Sequence, residues 1–158
     1  MSAATIDSLL KTAHVLGAIL FVGNVIVTGI WSGLFFRARH THDFERAARA
    51  IILTDWGFTV GGGALLTTSG VLLALQRGLP LWGTPWIRQA IIALVISTLL
   101  WLIVLVPAQR AMVRHRRHDA GDAGDEVLVG HYTRWNITGW LATVPLVYAV
   151  WCMVAKPL

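Results

Sequence analysis

His14 and Asn24 interrupt the long apolar run Leu9 to Phe36, LLKTAHVLGAILFVGNVIVTGIWSGLFF. An imidazole in hydrocarbon needs a protein partner or a bound ligand, so an ionisable residue in such a run is a functional candidate by default. Asp55 is the second such residue. It opens DWGFTVGGG, and a simple count of depth brings it level with Trp31 and within reach of His131, Arg134 and Asn136. Arg134 is its natural countercharge, which makes the pair a structural latch first and a proton-carrying site second. Arg88 near a helix end is expected to snorkel to head groups. Met153 and Cys152 read as an apolar filler and a small apolar residue.

His40 with His42, and His115 with His118, have spacings that suit a metal if Asp43 or Asp119 joins them. Both pairs lie in polybasic segments, where lipid head groups are better partners than cations. The chain has no glycine-rich phosphate loop following a strand, no Ser/His/Asp set and no paired catalytic carboxylates, so hydrolase and nucleotide chemistry find no support.

The elements that must position these residues are membrane helices. Hydrophobic residues make up 56% of the 158 and charged ones only 13%, against roughly 25% charged in a soluble domain. The mean hydropathy is +0.65, and the apolar residues fall in blocks of spanning length, at least roughly 18 residues. The blocks cover about Leu9 to Phe36, Ala50 to Leu75, Ile87 to Val106 and Trp135 to Ala155. The fold expected is an all-α, integral membrane four-helix bundle forming a single domain over 1–158. Its net charge of +5 flanks the spans, which points to lipid and not to nucleic acid. Asp7 ahead of Lys11, and a block longer than a signal peptide, mark a retained first helix. The lone Cys152 allows no intrachain disulfide.

Basic residues concentrate between spans one and two (Arg37, Arg39, Arg46, Arg49) and between three and four (Arg110, Arg114, Arg116, Arg117, Arg134). The positive-inside rule then puts both termini on the non-cytoplasmic side. Gly17, Gly23, Gly29 and Gly33 allow close helix approach in the first span, and Gly61 to Gly63 permit tight packing or a bend in the second. Thr41 or Asp43 serves as N-cap of the second helix. Pro107 marks a kink with the helix continuing into the arginines, and Pro145 frees the carbonyl of Leu141.

Through KTAHVLGAILFVGN (Lys11 to Asn24), DWGFTVGGG and PWIRQA, the chain resembles a family of uncharacterised bacterial four-helix integral membrane proteins. More distantly it looks like HemJ-type protoporphyrinogen IX oxidases and CopD-like membrane domains. The HemJ-type pattern Lys-x-x-His matches Lys11 and His14, and that resemblance implies haem b on His14. HemJ-type proteins carry a lysine after a tryptophan at the third span, where this chain has Arg88 after Trp86. Arginine holds its proton far more firmly, so porphyrinogen oxidation does not carry over.

Three readings follow. The first is a small haem b protein of the bacterial inner membrane, redox or electron-transfer related, with His14 as axial ligand, Gly62 and its neighbours giving room for the macrocycle, and Arg88 on a propionate. The other axial position is open, filled by Met153, or supplied by a second subunit, and the partner is a homodimer mate or a membrane redox protein. The second is a cofactor-free structural or accessory subunit. The third is a small transporter using Asp55 and His14 as stations of a proton or ion path.

Overall fold

The computed structural model describes residues 2–38, 44–118 and 122–158, with the side chains of 44–45, 47–48, 113–118 and 122–125 outside the description. The sequence-based metal pair at His40 and His42 with Asp43, the N-cap at Thr41 or Asp43, and Asp119 therefore lie outside the described residues, as do the side chains of His115 and His118. The helices are α1 (Ala3–Arg37), α2 (Phe44–Asp55), α3 (Gly61–Gln76), α4 (Pro85–Leu100), α5 (Val106–His118) and α6 (Asp122–Ala155). A π-helical turn, Trp56–Val60, joins α2 to α3, and another, Trp101–Leu105, joins α4 to α5. Among the described residues, four continuous helical stretches are long and apolar enough to span: Ala3–Arg37, Arg49–Gln76, Pro85–Met112 and Glu126–Ala155. The protein is thus an all-α, integral membrane four-helix bundle.

Local chemistry sets the helix ends. The Ser2 hydroxyl accepts from the Thr5 backbone N–H at 3.2 Å and caps α1. At the end of α3 the chain turns through Gly78, whose φ of 64° favours glycine. There Leu79 N–H reaches the Ala74 carbonyl and Gly78 N–H that of Leu75, closing the last turn in the Schellman manner. Pro85 then opens α4, where its missing N–H costs nothing. The fork of Arg77 grips the Asp7 carboxylate at 2.8 and 2.9 Å, tying this loop to the start of α1.

The bundle is two close pairs of helices. In the first, α1 meets α3 backbone to backbone. A Cβ on Gly17 would lie 2.5 Å from Leu66 N, and one on Gly62 would lie 2.9 Å from Phe21 N. In the second pair, Ala90, Ala93 and Ser97 of α4 are buried, and the Ser97 hydroxyl donates to the Ala142 carbonyl of α6 at 2.8 Å. That carbonyl belongs to the turn loosened by Pro145, through which α6 continues unbroken.

The pairs meet at the basic end. Gly29 of α1 lies under the Trp140 ring, Gly33 faces the Tyr132 hydroxyl, and Phe36 stacks on Tyr132 at 3.7 Å. Toward the terminal end they part: among the described residues, no Cα of α3 lies within 8 Å of one in α4 or α6. The π turns differ in place from the expected bends. One precedes Gly61 to Gly63, and the other lies just before Pro107, where the lost N–H removes an α-helical bond and a wider turn absorbs the mismatch.

The α1–α3 contact generates a test. Gly17→Ala forces a methyl onto the backbone of Leu66, which cannot rotate away, and is expected to cost about 1–3 kcal/mol. Gly23→Ala, with nothing within 4 Å of its Cβ, is expected to be neutral or to stabilise by up to about 1 kcal/mol through helix propensity. Unfolding of the two variants in detergent checks the difference.

Candidate functional site: a carboxylate inside the bundle

Asp55 is the last residue of α2, immediately before the first π turn, and only 4% of it is exposed. An unpaired polar group at this depth is costly, so where its bonds go determines what the site can do. On Oδ1 it accepts from Asn24 Nδ2 at 3.2 Å and from Thr59 Oγ1 at 3.0 Å. On Oδ2 it accepts from Trp101 Nε1 at 3.3 Å and from Gln109 Nε2 at 2.9 Å. All four donors are neutral, and together they match the lone-pair sites a carboxylate offers.

The donors come from three spans. Asn24 lies on α1 and is held in turn by Thr28, one helical turn on, at 3.5 Å. Thr59 lies one turn beyond Asp55 on its own span, and its hydroxyl also receives Asn24 Nδ2 at 3.2 Å. Trp101 opens the second π turn, and Gln109 follows Pro107 on α5. The Trp101 ring sits edge-on to Trp56 at 5.1 Å, so the two π turns touch through their first residues. The fourth span contributes Trp135, Asn136 and Gly139 to a cavity of about 30 Å³ that also reaches Asp55 and Thr28. Two buried polar atoms of this region have no hydrogen-bond partner among the described residues, Trp135 Nε1 and Gln109 Oε1.

The expected countercharge is corrected by this geometry. Arg134 is exposed, His131 is half-buried, and Asp55 is satisfied by neutral groups instead. The level also differs, with Asp55 beside Asn24 and not beside Trp31, which is exposed. The reason is where the second helix starts. It begins at Phe44 instead of about Ala50, which carries Asp55 deeper by six residues, about 9 Å. Sequence reasoning passed over Trp101, Gln109 and Thr59. The signals were present as an Asp and a Thr four residues apart on one helix, and a glutamine inside an apolar segment.

His14 sits apart from this centre, half-buried against α3. Its Nδ1 lies 2.9 Å from the Leu66 carbonyl, and its ring edge fills the space over Gly70, where a Cβ would meet Cε1 at 2.7 Å. With Nδ1–H on the carbonyl, Nε2 carries the lone pair and has no partner among the described residues. The other residues expected beside a cofactor are placed as follows. Gly62 is covered by Leu20 and Phe21. Arg88 donates to the Trp82 carbonyl at 3.3 Å. Met153 is half-buried on α6 next to the fully buried Cys152, whose neighbour Gln89 receives the Tyr148 hydroxyl at 2.7 Å. Among the described residues no group of three His, Cys, Asp or Glu side chains could hold a metal ion.

Residues 8–157 match the model of a family described as "Predicted integral membrane protein (DUF2269)". No curated protein and no solved structure matches the chain.

The donor set predicts a contrast. Gln109→Leu removes the shortest bond to Asp55 and is expected to lower stability by about 1–3 kcal/mol. Arg134→Gln, at an exposed position, is expected to stay within about 0.5 kcal/mol of the parent. Chemical unfolding in detergent reads both, and the reverse ranking would restore the ion-pair latch.

Proposed function

The chain belongs to the DUF2269 family of predicted integral membrane proteins, and from that premise and the polar centre we propose that it is a small ion-linked membrane protein, handling a proton or small cation at Asp55. A bacterial inner membrane, with the arginine-rich end cytoplasmic and both termini outside, is the setting this reading takes from the distribution of basic residues. The observation that carries it is a carboxylate inside a span that is held by donors from three spans and borders a cavity.

A purely structural tie is better served by neutral groups, because a buried carboxylate that loses any partner becomes costly. Intramembrane acids mark ion and proton paths for that reason. The two π turns meeting at the site add support, since such turns occur frequently where a helix does more than span. The test is electrical. Purified protein in sealed liposomes is expected to carry a current driven by a proton or sodium gradient. Asp55→Asn, with its helix content retained, should abolish it. A current no larger than in protein-free liposomes, or one indifferent to Asp55→Asn, removes the proposal.

Haem b on His14 is the second reading, and one observation favours it. The Nδ1-to-carbonyl bond leaves Nε2 without a partner among the described residues, which is how a ligating imidazole is oriented. The glycine cradle does not fit the group, however, because the faces of Gly62 and Gly70 are filled by Leu20, Phe21 and the His14 ring itself. A haem would therefore have to sit outside the α1–α3 contact, with His14 as the residue that holds it, and it would supply one-electron or dioxygen chemistry. Protein purified from haem-replete cells should show a Soret band that His14→Ala removes, while colourless protein eliminates this reading.

A further inference from the structure

We infer that the ion taken by Asp55 is a proton and that a water molecule in the adjoining cavity is its exchange partner. This inference rests on the reading of Asp55 as an ion-handling site. The bonding of the polar centre separates a proton from a metal cation. A cation needs several free oxygen lone pairs, yet Oδ1 and Oδ2 each already receive two donors. A proton needs only one lone pair, released by turning one donor away.

The protonated carboxyl then needs an acceptor for its O–H: Asn24, Trp101 and Gln109 present N–H groups to it, and the Thr59 hydroxyl, which already accepts from Asn24, serves only if its own proton turns elsewhere. The cavity supplies the place for one. Its volume of about 30 Å³ leaves room for one water, which needs roughly 10–15 Å³, and on a mostly apolar wall Asp55, Thr28, Trp135, Asn136 and Thr143 are the residues with polar groups to hold it. Trp135, only 5% exposed, lines it and has an indole N–H without an acceptor among the described residues. A water there accepts from Trp135 Nε1–H with one lone pair and from the Asp55 O–H with the other. The oxygen of Thr28, Asn136 or Thr143 on the cavity wall receives its protons. Gln109 is built for the same change: its Oε1 has no donor among the described residues, so a turn of the amide would offer it to the Asp55 proton.

Few other ionisable side chains lie in the spans around this carboxyl. The chain has no other ionisable side chain between His14 and Arg37, between Asp55 and Arg77, or between Arg88 and Arg110. The ionisable groups on the neighbouring elements are Arg46 and Arg49 on α2, Arg110 on α5, and His131, Tyr132 and Arg134 in the basic half of α6, with Tyr148 and Cys152 toward its terminal end; the four arginines are exposed.

Infrared difference spectra of the full chain in liposomes, recorded between high and low pH, test the proposal. A carboxylic C=O band is expected to grow reversibly at low pH and to vanish in Asp55→Asn. It should be unchanged when sodium replaces potassium, and it should shift in Trp135→Phe, which leaves every residue bonded to Asp55 in place. Absence of an Asp55 band, its suppression by sodium, or its indifference to Trp135→Phe overturns the inference. A sodium current dependent on Asp55 would leave the proposed function standing while refuting the proton. No current at all would refute the function even if Asp55 titrates.

Discussion

A carboxyl group cannot stay in the interior of a bilayer unless the chain itself supplies the hydrogen bonds that water would have made. Asp55 imposes that requirement here, and much of the bundle can be read as its consequence. Asn24 must face inward from α1, so the buried stripe of that helix runs through Gly17, Phe21 and Thr28 on the same side. Trp101 and Gln109, eight residues apart on the third span, must both reach one carboxylate oxygen. The widened turn between them changes the angular relation that a regular helix would enforce.

The closeness of α1 and α3 is the other requirement, and glycine meets it. Where Gly17 faces Leu66 and Gly62 faces Phe21, side chains give way to backbone contact, which brings the shorter side chains of Asn24 and Thr59 within hydrogen-bond reach. The same contact decides against a macrocycle at these glycines. Small residues in a membrane helix mark a close approach, but what approaches can be a cofactor or another helix. At Gly70 it is an imidazole, and at Gly62 it is the backbone of α1.

This difference shows what the sequence made legible. The four spans and the all-α fold follow from hydropathy, and the place of Asp55 in a polar cluster follows from the cost of burying a carboxylate. Asp55's partners did not follow, because partner choice depends on depth, and depth depends on where a helix starts. Moving the start of the second helix from about Ala50 to Phe44 exchanges Trp31 for Asn24 as the neighbour and leaves Arg134 exposed. Nor does a periodic pattern reveal a π turn, since one inserted residue changes the phase without changing the composition. Gln109 and Trp101 stayed hidden for that reason.

The parting of the two helix pairs toward the terminal end has the same origin. In water, exposed leucines and valines on facing helices would draw together, but in a bilayer the acyl chains are as apolar as those side chains and no comparable force acts. Val147, Trp151 and Val154 of α6 remain exposed accordingly. What joins the pairs instead is what lipid cannot replace: the bonds from Trp101 and Gln109 to Asp55 and the stacked contact of Phe36 with Tyr132. Since the polar centre links the second span to the third across the two pairs, any change in the bonding of Asp55 acts on the junction between them. On the reading proposed for Asp55, a proton arriving at this one carboxyl would act at the junction of the two helix pairs.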